Sequence, residues 1–110
     1  MKLKLLSIAS LLIIQVFMVP SYSQDTRNEK FRQGSDYYTS GDYEKALEQW
    51  IDLYNTGYRS ADLEYNIGNA YFKINNVPGA ILFYERAHLR RPADEDINYN
   101  LQIARTLAVD

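Results

Sequence analysis

Few residues in this chain are equipped to make or break bonds. There is one His, His88, and no Cys. Without Cys there is no thiol catalysis, disulfide framework, zinc finger or iron–sulfur site, and a single His leaves no His pair for a metal. Ser, His and Asp all occur, but no spacing orders them into nucleophile, base and orienter, and no glycine-rich loop could cradle a phosphate. Asp94-Glu95-Asp96 could suggest calcium or acid catalysis. Calcium needs oxygen ligands spaced along a loop, whereas consecutive acids are what a helix start collects against its positive dipole end. Arg86, Arg90 and Arg91 form a small basic cluster, read as a solvated face near a helix C-terminus or as the match for a partner's acidic patch. These residues point to no enzyme, no cofactor, no metal and no small-molecule substrate. What remains is recognition chemistry: Asn66, Asn69 and Asn100, each able to donate and accept, and ten Tyr.

The elements that must position these groups fit in 110 residues, enough for one small domain. Met1-Lys2-Leu3-Lys4 is a basic start, Leu5 to Val19 an apolar run, and Ser21 and Ser23 supply a small-x-small site. That order reads as a secretory signal over residues 1–23, cleaved after Ser23. Left uncleaved, it would tether the domain to a membrane, although the run is short for a span. Either way the domain, residues 24–110, is expected to be periplasmic or secreted. Losing Lys2 and Lys4 leaves 10 basic residues against 14 acidic, a net of −4. This balance gives no reason to expect a nucleic acid partner.

The chain repeats itself every 34 residues. Phe31, Gly34, Tyr37, Ala46 and Trp50 recur as Tyr65, Gly68, Tyr71, Ala80 and Tyr84. Leu63, Tyr65, Asn66, Ile67 and Ala70 recur as Ile97, Tyr99, Asn100, Leu101 and Ala104. One coincidence at this spacing means little; a set at a single offset indicates duplication. Local signals predict paired helices. The first runs over Gln24–Ser40 and breaks at Ser40-Gly41-Asp42, with Asp42 placed to cap the second. Ala46, Leu47, Trp50, Leu53 and Tyr54 make an amphipathic stripe, ended by Gly57 at positive φ. Ser60 caps a third helix reaching about Ile74. Asn75-Asn76 turns, and Pro78 sits at a first helical position, where its missing N–H costs nothing. Pro92 stops the fourth helix, and the acidic run opens a fifth. Gly34 and Gly68 are expected where the two helices of a pair cross, and most Tyr rings at core edges with the hydroxyl reaching water.

These residues resemble the tetratricopeptide repeat family, a 34-residue helix–turn–helix unit. The second repeat carries its pattern at Ile67, Gly68, Tyr71, Ala80, Tyr84, Ala87 and Pro92. The first carries it at Gly34, Tyr37, Gly41, Tyr43, Ala46 and Trp50, departing at Leu53 and Tyr58, where Ala and Pro are usual. The resemblance implies an all-α solenoid: repeat 1 over about 27–60, repeat 2 over about 61–94, and a partial, capping third over 95–110. More narrowly, the stretch around Asn66, Gly68, Asn69, Ala80, Glu85, Arg86 and Asp94–Asp96 resembles repeat proteins of the bacterial aerotolerance (Bat) operons. That implies an envelope protein working in complexes with von Willebrand A-type partners. Such proteins usually continue further, so the chain reads as an N-terminal fragment or a truncated frame.

In such solenoids the first helices of successive pairs line a concave groove. By the 34-residue offset the groove candidates are Phe31, Arg32, Ser35 and Tyr38; Tyr65, Asn66, Asn69, Phe72 and Lys73; and Tyr99, Asn100 and Ile103. Asn can pair with the backbone of an extended peptide, and the aromatics can grip it at low entropy cost. Asn66 and Asn100 could equally brace neighbouring helices, and Tyr65 and Tyr99 could pack between repeats. The carboxylate clamp known in the family matches poorly: Phe31, Ser35, Asp96 and Asn100 stand where it needs Lys, Asn and basic residues. The expected partner is therefore a protein or peptide, not a chaperone tail. The alternative is a self-assembling homo-oligomer whose helical ends stack. Leu101, Ile103, Leu107 and Val109 cannot all point inward from one helix.

Overall fold

A computed structural model describes residues 24–109 of the chain. The signal or anchor expected over residues 1–23 lies outside the described residues. Among those described, all regular structure is α-helical. The helices are α1 (Gln24–Thr39), α2 (Tyr43–Asn55), α3 (Ala61–Lys73), α4 (Val77–Arg90) and α5 (Glu95–Val109). Each packs chiefly on the helix before it and the helix after it.

The boundaries follow from local chemistry. Gly41 and Gly57 hold φ of +84° and +97°, a region closed to most side chains, and so turn the chain after α1 and α2. Asn75, at φ +66°, does the same after α3. Ser60 Oγ accepts from the Leu63 N–H at 3.0 Å, and Asn76 Oδ1 from the Gly79 N–H at 3.0 Å. Asp94 Oδ1 accepts from the Ile97 N–H, so the first acid of the run is the cap and the next two begin the helix. Asp42 differs from expectation. It stands at the start of α2 but its side chain caps nothing, lying instead 3.5 Å from Lys45 Nζ.

The expected crossings are present. A Cβ on Gly34 would lie 2.6 Å from Trp50 Cε2, and one on Gly68 2.6 Å from Tyr84 Cδ1. Each glycine thus admits an aromatic ring from the next helix into direct contact with backbone. The rings Phe31 and Trp50 sit 6.3 Å apart, and their counterparts Tyr65 and Tyr84 5.8 Å apart. The 34-residue offset in the sequence is therefore an offset in packing as well. One buried cluster gathers Ala46, Trp50, Leu53, Leu63, Ile67, Ala70 and Phe83. A second joins Ala80 and Tyr84 to Leu101 and Ala104 of α5. On α5 the apolar residues divide as helical geometry requires: Leu101 is buried, Ile103 half-buried, Leu107 and Val109 exposed.

Candidate functional site

A cavity of about 360 Å³ opens between α1, α3 and α5, with α4 behind it. Tyr38 comes from α1; Tyr65, Asn69, Phe72 and Lys73 from α3; Tyr84 from α4; Asn100 and Ile103 from α5. On α3 the positions are spaced by three and four, so they share one face. Gly68, beside them, lets the Tyr84 ring reach the cavity from α4.

The floor is a hydrogen-bond network. Tyr84 donates its hydroxyl to Asn69 Oδ1 at 2.6 Å. Asn100 Nδ2 donates to Tyr65 Oη at 2.8 Å and to Asn69 Oδ1 at 3.2 Å. Asn69 Oδ1 is thereby occupied twice, which fixes the amide and leaves its Nδ2 to donate. Tyr65, accepting from Asn100, keeps its own O–H proton to donate. Apolar walls come from Phe72, Ile103 and the Tyr38 ring. The rim carries one cation, Lys73, whose Nζ lies 5.7 Å from the Tyr43 ring centroid. Among the described residues no carboxylate lines the space. Burial raises the phenols of Tyr84, Tyr65 and Tyr38 above the ordinary tyrosine range, so all three stay protonated donors at neutral pH. A donor-bearing floor between apolar walls suits a chain of carbonyl acceptors, such as an extended peptide backbone.

Seven of the twelve sequence candidates meet here: Tyr38, Tyr65, Asn69, Phe72, Lys73, Asn100 and Ile103. The other five do not. Phe31 packs against Trp50, whose Nε1 donates to the Phe31 carbonyl, and otherwise lines a small depression with Tyr58. Arg32 is exposed, holding Glu29 at 2.7 Å and Asp36 at 2.8 Å along α1. Ser35 turns its hydroxyl back to the Phe31 carbonyl. Asn66 is half-buried outside the lining. Tyr99 lies on the outer side of α5, 68% exposed, in a separate depression with His88, Gln102 and Arg105. The reason is geometric. Tyr65 has α4 and α5 to pack on; among the described residues Tyr99, one repeat later, has no following helix pair. Asn100 both braces α5 on α3 and lines the cavity, so the two readings of it are compatible.

Tyr84 is the member that sequence reasoning missed. Its alignment with Trp50 marks it as packing, and it is buried, at 1% exposure. Its hydroxyl does not reach water as expected of the tyrosines but anchors Asn69. The available signal was the hydroxyl itself, the one polar atom that Tyr84 adds at a position otherwise filled by an aromatic ring.

Among the described residues no group of three His, Asp or Glu is placed to hold a metal ion, and no helix is long and apolar enough to cross a membrane. No family model matches the chain, and no curated protein matches it significantly.

Proposed function

We propose that this chain is a protein–protein interaction module of the tetratricopeptide-repeat type, with two full repeats and a capping third. In this reading the cavity between α1, α3 and α5 receives an extended segment of a partner protein. The observation that carries it is the Asn69–Asn100–Tyr65–Tyr84 network at the floor of an apolar-walled opening. Such a network presents fixed donors without ordering anything on binding, which is how a preformed groove limits the entropic cost of holding a flexible peptide. The repeat assignment draws support from the paired Gly34–Trp50 and Gly68–Tyr84 contacts and from the motif residues. The basic, apolar and small-residue order of residues 1–23 supports an exported domain, free or tethered, at the cell envelope. The residues that resemble aerotolerance-operon proteins support work in an envelope complex. We read the module as binding without catalysis.

The test is recovery of partners from envelope extract by the tagged chain and by its Asn69→Ala, Phe72→Ala variant. A partner held by the parent and lost by the variant, at equal helix content, supports groove binding. A partner retained by both would move the interface elsewhere on the molecule.

One observation favours a second reading, in which copies stack through their helical ends. Tyr99, Leu107 and Val109 are all exposed on α5. A concentration-dependent solution mass, abolished by Leu107→Glu, would favour stacking; a folded monomer across the same range would count against it.

A further inference from the structure

A second surface lies away from the cavity, where α2, α3 and α4 meet. On α4, Leu82, Arg86 and Leu89 follow at intervals of four and three and form one ridge, its two leucines exposed and Arg86 half-buried between them. Arg86 is about 200° around the helix from Tyr84, so the ridge and the cavity use opposite sides of α4. Leu82 is 45% exposed and Leu89 79%. Beside the ridge is a depression of about 450 Å³, lined by Tyr54, Arg86, Leu89 and Arg90 together with Glu64.

The charges here are unbalanced. Arg91 is paired with Asp62, and Arg90 with the buried Glu64. Arg59 and Arg86 have no carboxylate partner among the described residues, although the domain as a whole is acidic. Both are held on aromatic rings instead. The Arg59 guanidinium stacks 3.4 Å from the Tyr54 ring centroid and donates to the Tyr54 and Tyr58 carbonyls. Arg86 donates to Tyr54 Oη at 3.0 Å and lies 4.9 Å from the Phe83 ring centroid. Held in this way, the two cations lose little further freedom when an anion binds them. Their N–H groups beyond these bonds are open to carboxylate oxygens.

We propose that this face docks an acidic amphipathic helix of a partner protein. Its apolar residues would lie along Leu82 and Leu89, and its Asp or Glu side chains would meet Arg59 and Arg86. The pattern of apolar, cationic and apolar residues along α4 is the complement of apolar, acidic and apolar residues along such a helix. This surface is independent of the cavity and goes beyond the groove reading.

The probe is a labelled helical peptide carrying Leu at intervals of four and three with Asp and Glu between, titrated against the full chain by fluorescence anisotropy. The control is the same peptide with Asn and Gln in place of the acids. The acidic peptide should bind and the neutral one should not. Arg59→Gln with Arg86→Gln should weaken binding by about tenfold or more, and added salt should weaken it further. Leu89→Glu, an exposed change that leaves both cores untouched, should abolish binding at unchanged helix content, and so keeps the test decisive if the arginine variant misfolds. Asn69→Ala with Phe72→Ala should bind the peptide like the parent. The proposal is overturned if the acidic peptide fails to bind, if the neutral peptide binds equally, or if the arginine variant binds like the parent. Preference for vesicles of anionic phospholipid through the same arginines would also overturn it, in favour of a membrane surface.

Discussion

At the scale of single residues, Tyr84 joins packing to the site. Its ring lies against the Gly68 backbone and its hydroxyl fixes Asn69. Two predictions belong here. Gly68→Ala gains helix propensity of up to about 1 kcal/mol, but its Cβ would sit 2.6 Å from the buried Tyr84 ring. Overpacking of this kind costs about 1–3 kcal/mol, so the urea midpoint should fall; an unchanged midpoint would mean that the crossing is looser than described. The second concerns alkaline pH. Burial raises the Tyr84 phenol above its ordinary value, so the folded state holds that proton more tightly than the unfolded chain. Below the unfolded value of about 10, both states are protonated and stability is flat. Above it the unfolded chain ionises first, and stability should decline until the folded value is passed. Tyr65 and Tyr38 shift in the same direction for the same main reason. Tyr84→Phe should therefore flatten the decline in urea midpoint above about pH 10, while costing about 1 kcal/mol at neutral pH through the lost hydrogen bond. A decline of the same slope in the variant would remove Tyr84 from the effect. The sequence showed that an aromatic belonged at this position, since spacing reports ring volume. It did not show the hydroxyl's role, because a hydrogen bond between residues 69 and 84 depends on a crossing angle that spacing does not encode.

At the scale of helices, the boundaries were legible wherever one residue type does one local job. Gly57 turns the chain, Ser60 caps α3, and Pro78 sits in the first turn of α4. Asp42 looked equivalent to Ser60 and is not. Its side chain leaves the first-turn amides alone and lies 3.5 Å from Lys45 Nζ, an ion pair that residue type alone does not announce. The two positions should respond differently. Ser60→Ala should cost about 1 kcal/mol, whereas Asp42→Ala loses only an exposed ion pair, worth about 0.5 kcal/mol or less. Equal losses in urea melts would show that Asp42 caps in solution. The groove was legible in part for a related reason. The 34-residue offset put Tyr65, Asn69, Phe72 and Asn100 on one side, and all four line the cavity. It also treated α1, α3 and α5 as equivalent, although among the described residues α3 alone of these three has a helix on each side. Tyr99 therefore faces outward, and on α1 Arg32 is held by Glu29 and Asp36 of its own helix.

At the scale of the whole molecule, stability should be passed between neighbours. Each helix packs chiefly on its predecessor and successor, and the two buried clusters divide along the chain. The first cluster draws no buried residue from α5, while the second is covered by Leu101 and Ala104 of that helix. In a linear array of this kind, removing one end weakens its neighbour most and distant units least. A chain ending at Arg91 would expose Ala80 and Tyr84 and remove Asn100 from the site network. Hydrogen exchange should then show protection falling steeply in α4, less in α3 and least in α1 and α2. The cavity floor would be lost with it, because Asn69 would keep only Tyr84 as donor to its Oδ1. A uniform loss of protection along all four remaining helices would mean that the domain melts as one unit. The nearest-neighbour picture would then fail, even with every pairwise contact as described. A graded loss would instead explain how a short helical array can hold a cavity at its centre: α3 is supported from both sides, and it supplies four of the eight residues that line the cavity.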